Sequence, residues 1–203
     1  MPGNENSFSG CREGTEVTER QTWTSIFEAE ERPPTLVTLP GQAQPIAVPT
    51  IVRHENRWRG ELPASHRAVP NKPAIDYQGK PLYPEFVWLR LLERAGWTGV
   101  WVKYWGRANW TDIDSPLDLP PRQAELFEQI EALTENTRGG CWDIFAWRGD
   151  DVLFVESKQS RTDRVTAAQA VWLEKSLALG LGLSSFLIAE YTVPRASKQE
   201  PLN

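Results

Sequence analysis

The chain has 203 residues, a formal net charge of −5, 40% hydrophobic and 24% charged residues, which suits one soluble globular domain with a sizeable core. No apolar run approaches the length of a membrane span, and the polar first thirty residues lack the apolar core of a signal peptide. The acidic balance argues against a strong sequence-independent nucleic-acid binder, which carries a basic surface.

Two cysteines, Cys11 and Cys141, lie far apart in the chain. This argues against a disulfide and for a cytoplasmic localisation. Residues 1–33 are expected to form a disordered or loosely attached arm. Residues 34–80 carry many prolines and short apolar runs, and are expected as an extended wrap with a short strand or two. His54 and His66, the only histidines, lack the spacing of a metal pair on one helix and are expected at the surface.

The main domain is expected over 81–193. "PEFVWLRLLERAG" predicts a helix over 84–96, with Pro84 in the first turn and Gly96 at the C-terminal cap. Helical spacing puts Val87, Trp88, Leu89, Leu91 and Leu92 on one side, and Glu85 in the middle of that apolar arc. A strand over 98–105 comes next, then an irregular stretch. An inserted amphipathic helix over 121–136 has Leu126, Ile130 and Leu133 at helical spacing. A hairpin, a helix over 166–180 and a strand over 185–193 complete the domain, and 194–203 is expected to be a disordered tail. The pattern predicts an α/β fold: a short mixed central sheet flanked by helices.

The hairpin carries the chemistry. "CWDIFAWRGDDVLFVESKQ" predicts strands over 141–148 and 151–158, with Gly149-Asp150 as a type II′ turn. Arg148 then faces Asp151, and the same register puts Asp143 opposite Glu156 on one face, with Lys158 two residues beyond. Like charges facing across strands repel. Acids embedded in an apolar face are costly unless neutralised, so something positive is expected between them. Three carboxylates, Glu85, Asp143 and Glu156, with a lysine at one end of a sheet suit a hard divalent cation, Mg2+ with Mn2+ as a substitute. Plainer readings stand beside this one. The hairpin acids could face water, and Glu85 could only favour the positive end of its helix.

In this order and spacing, Asp143, twelve residues, then Glu156-Ser157-Lys158 at the end of an apolar strand resembles the PD-(D/E)XK nuclease superfamily. The segment C-terminal to Lys158 resembles its VRR-NUC-type and Holliday-junction-resolvase-like members. It holds a loop with Arg161 and Arg164, a helix opening Thr166-Ala-Ala-Gln169, Trp172-Leu173, and a last strand. The likeness covers about residues 82–193. Trp142 departs from it, standing where proline is usual, and the insert at 106–136 is long. The resemblance implies a restriction-endonuclease-like core. It also implies an Mg-dependent endo- or exonuclease acting on nucleic acid, DNA favoured, with no membrane partner and a homodimer allowed. Catalysis is implied for Asp143, Glu156, Lys158 and Gln169, metal binding for Glu85, Asp143 and Glu156, and phosphate contact for Arg161 and Arg164. Gln169 has a second reading, since Thr166 to Gln169 is also a capping-box pattern. Arg161 and Arg164 could be solvated loop charges. Two rival functions remain open: a catalytically inactive nuclease-fold module binding nucleic acid or a protein, and an interaction domain using a tryptophan-rich surface.

Overall fold

The computed structural model describes residues 22–64, 72–102, 108–135, 139–160 and 163–194. In chain order these hold α1 (Trp23–Phe27), β1 (Glu30–Val37), β2 (Ile46–His54), β3 (Ile75–Tyr77), β4 (Lys80–Leu82), α2 (Pro84–Arg94), β5 (Thr98–Val102), β6 (Asn109–Asp112), β7 (Ser115–Pro116), α3 (Pro121–Leu133), β8 (Ile144–Arg148), β9 (Asp151–Gln159), α4 (Ala167–Ala178) and β10 (Phe186–Thr192). The predicted helices and hairpin appear within a few residues of their expected ends. The tail beyond residue 194 lies outside the described residues, as do residues 1–21.

A mixed sheet organises the molecule, in the order β1-β2-β10-β9-β8-β5-β6-β7. β10 runs parallel to both β9 and β2, and the other pairs are antiparallel. α4 is the crossover that makes β9 and β10 parallel. Period-two alternation sorts the core into two layers. Ile144, Ala146, Leu153, Val155, Leu187 and Ala189 pack with α1 and α2, whereas Phe145, Trp147, Phe154, Phe186 and Ile188 pack with α3 and α4. The central strands are apolar on both faces because helices cover both. No helix among the described residues is long and apolar enough to cross a membrane.

Three expectations need correction. Residues 22–33 are not a loose arm, because α1 buries Ile26 and Phe27 against the first layer and β1 starts at Glu30. Residues 34–54 do not merely wrap the domain. β2 pairs with β10 through Ile188↔Thr50 to Thr192↔His54, so the sheet crosses the expected boundary at 80 and has eight strands. Prolines hid this. Pro33 and Pro34 sit on the edge strand, where the β1–β2 register shifts and a missing N–H costs no ladder bond. The irregular stretch before α3 forms the short edge pair β6 and β7.

The hairpin register is the expected one. Ile144↔Val155 through Arg148↔Asp151 are paired. Gly149 has φ +59 while Asp150 has no positive φ, which fits the type II′ turn. His54 is exposed and hydrogen-bonds Thr192 Oγ1 through Nδ1 at 2.7 Å. His66 lies outside the described residues.

Candidate active site

Strand pairing stops at Ile144↔Val155, and the side chain of Asp143 continues it. Its Oδ2 accepts from the backbone N–H of Ser157 at 3.0 Å, while its carbonyl accepts from Val102 N–H at 2.8 Å. Asp143 therefore closes the open end of the sheet between β5 and β9. Its carboxyl stands close enough to Glu156 for each acid to act on the other. Burial, and then the Glu156 charge, push the Asp143 carboxyl up to about 8. Burial also raises Glu156, against the pull of Lys158.

Glu156 is 2% exposed and Lys158 9%. On a strand they share a face, and Lys158 Nζ stands 2.8 Å from Glu156 Oε1. Gln169 closes the group from α4: its Nε2 donates to Glu156 Oε1 at 2.6 Å and its Oε1 accepts from Lys158 Nζ at 3.2 Å. The same Oε1 accepts from the Thr166 backbone N–H at 2.9 Å, and Thr166 Oγ1 accepts from Gln169 N–H at 3.2 Å. Both readings of Gln169 hold at once. An amide oxygen has two lone pairs, so one side chain caps the helix and clamps the strand.

Two supports were not anticipated. Trp142, fully buried and edge-on to Phe186 at 5.1 Å, donates from Nε1 to the Gln169 carbonyl at 3.3 Å. It pins the segment before Asp143 to the first turn of α4. Gly140 lets that segment approach, since a Cβ there would collide with the Ala168 carbonyl. On the other face, Trp88 of α2 donates from Nε1 to Ser157 Oγ at 3.0 Å.

Glu85, on the first turn of α2, is 2% exposed and points into the molecule. It stands at the positive end of its helix, as the plainer reading has it, and is buried there. Its Oε1 lies 2.6 Å from Lys72 Nζ, a residue that sequence reasoning missed. Lys72 feels Asp143 and Glu156 as well, and Asp143 acts on Glu85, so the three acids share one electrostatic cluster. Arg164 is exposed, with Nη1 donating to the Asp163 carbonyl. Arg161 lies outside the described residues.

Among the described residues, no three His, Cys, Asp or Glu side chains stand ready-made as a metal cage. The donor chemistry nonetheless fits a hard cation. Glu85 Oε2 and Glu156 Oε2 are buried with no donor among the described residues, and carboxylate oxygens of this kind are the ligands a hard divalent ion takes. A separate groove of about 470 Å³ between the end of α3 and α4, lined by Leu133, Ala168, Val171 and Trp172, shares no residue with this cluster.

Glu156→Gln tests the arrangement without metal. The introduced amide oxygen can keep the bonds from Lys158 and Gln169, and its NH2 can donate toward Asp143. The metal-free protein should melt at the same temperature or gain about 0.2 to 1 kcal/mol, the scale of a cross-strand pair. A loss of several kcal/mol in a chemical-denaturation series contradicts the assignment.

Comparison with protein-family models, curated proteins and solved structures finds no match to this chain. Its functional reading rests on its own residues.

Proposed function

We propose that the chain is a metal-dependent nuclease with a restriction-endonuclease-like core of PD-(D/E)XK type, hydrolysing phosphodiester bonds, with DNA the favoured substrate. The observation that supports this most is the Gln169 clamp. One helix residue positions both Glu156 and Lys158 on the face where Asp143 presents its carboxyl. A purely structural site gains nothing by setting the half-buried Asp143 against the buried Glu156.

Glu85, Asp143 and Glu156 would hold Mg2+ or Mn2+ through carboxylate oxygens. Bound there, such an ion lowers the pKa of a water and offsets charge at the attacked phosphorus. Asp143 would meet such an ion as the ionised carboxylate. Lys158, fixed by Gln169, places an ammonium where charge develops on the phosphate. Trp142 and Trp88 hold the two strand ends so that these groups need no reorganisation. Arg161 and Arg164 meet the flanking phosphates.

Arg164→Ala should weaken nucleic-acid binding and reduce the slope of log affinity against log salt by about one, with Arg161→Ala acting the same way. An unchanged slope in a fluorescence-anisotropy salt series removes that arginine from the phosphate contacts.

A second reading, an inactive nuclease-fold module, is favoured by one observation: Lys72 already neutralises Glu85. The tryptophan-surface reading loses ground, because none of the described tryptophans is exposed. The deciding experiment incubates the protein with labelled single- and double-stranded DNA and RNA, in Mg2+, Mn2+ or chelator. Metal-dependent cleavage supports the nuclease. Binding without cleavage in either metal supports the inactive module.

A further inference from the structure

Lys72 stands in the acid cluster. Its Nζ lies 2.6 Å from Glu85 Oε1 and 4.6 Å from the centre of the Trp101 ring. Backbone geometry fixes the pairing. The chain around Lys72 is tied to the segment before it, with Trp58 N–H donating to the Ala74 carbonyl at 2.9 Å and Arg57 bridged to Ile75. The β3–β4 hairpin then reverses through Gln78-Gly79, both at positive φ, and delivers the chain to the first turn of α2. Lys72 and Glu85 therefore enter from the two ends of one hairpin and meet at its base.

The charges that face Lys72 are Glu85, Asp143 and Glu156, the same three carboxylates the proposed metal would need. Burial works against the ammonium, but Glu85, then Asp143 and Glu156, outweigh it and hold its pKa above the ordinary lysine value. An ammonium on Oε1 and a divalent ion on the open Oε2 of the same Glu85 carboxylate would repel strongly at short range.

We infer that Lys72 is the resident cation of the acid cluster and that a divalent ion binds by displacing it from Glu85. The inference rests on the metal reading above. Lys72 satisfies the cluster when no metal is present, because an unpaired buried carboxylate is expensive. It thereby sets a threshold for metal loading. The ring of Trp101 gives the ammonium a second partner during the exchange, through a cation–π contact.

Lys72→Met keeps the stem against Trp101 and removes the charge. Calorimetric titration with Mn2+ should show binding about tenfold tighter or more than in the wild type, as expected for removing a unit positive charge from a cation site. Lys72→Gln should show the same direction, so a folding failure of one variant does not leave the inference open. The metal-free Lys72→Met protein should also melt at lower temperature, and adding Glu85→Gln should recover that loss. Equal or weaker Mn2+ affinity in both Lys72 variants overturns the inference. If the wild type still binds Mn2+ and Asp143→Asn does not, the metal reading survives that result. No binding to wild type or to either Lys72 variant overturns both.

Discussion

Lys158→Ala should yield a folded chain that still binds nucleic acid and cleaves it about a hundredfold more slowly. Loss of one preorganised charge-stabilising donor costs roughly 10² to 10³ in rate. Burial explains why the loss should fall on the chemical step. Lys158 is buried, and its Nζ is held between Glu156 and Gln169, so it is placed by the protein and not by the substrate. Interactions realised only in the transition state lower kcat more than binding. Removing the ammonium leaves Glu156 beside an uncompensated space, but its carboxyl is already raised by burial and can take up a proton. This limits the cost to the fold, which near-ultraviolet circular dichroism checks. Single-turnover cleavage at saturating enzyme separates the chemical step from affinity. Equal rates for the variant and the wild type remove Lys158 from the mechanism.

The second large effect is on stability against pH. In the folded chain burial, and then the Glu156 charge, push the Asp143 carboxyl up to about 8 from an ordinary value of 3.8. Between those values the folded state keeps a proton that the unfolded chain has released. Stability therefore falls as pH rises through this window, by up to about 1.4 kcal/mol per pH unit for one proton. Burial raises Glu85 and Glu156 too, which gives the same sign. Asp143→Asn mimics the protonated acid, since its amide oxygen can accept from Ser157 N–H and its NH2 can donate to Glu156. Relative to this variant, the wild type should lose a few kcal/mol between about pH 5 and pH 8, roughly 5 to 10 °C in melting temperature for a chain of this size. Parallel pH profiles of the two proteins contradict the raised Asp143 carboxyl. Saturating Mn2+ at pH 8 should stabilise the wild type and leave Asp143→Asn unchanged, because only an ion that binds the folded state shifts the melt.

Local signals made part of this molecule legible. Gly149-Asp150 fixed the hairpin register through a turn that only a positive-φ residue forms easily, and the same register carries Asp143 past the end of β8 to the Ser157 N–H beside Glu156. Glu85 was placed by helical spacing alone. Non-local pairings were hidden. β2 joins β10 across more than a hundred residues, and no local pattern announces such a parallel pair, least of all one beside a proline-rich edge. Lys72 was hidden for the same reason. It reaches Glu85 through a hairpin whose turn, Gln78-Gly79, lacks the usual asparagine or aspartate. Trp142 looked like a departure from the family pattern, yet its indole secures the residue that clamps the site.

The acid cluster as a metal-dependent catalytic centre is tested most directly by one comparison. Single-turnover cleavage of end-labelled DNA is followed in Mn2+ with wild type and Asp143→Asn side by side, both verified as folded. The account predicts metal-dependent cleavage by the wild type, abolished by chelator, and no measurable cleavage by Asp143→Asn. Cleavage of equal rate by both proteins would contradict it.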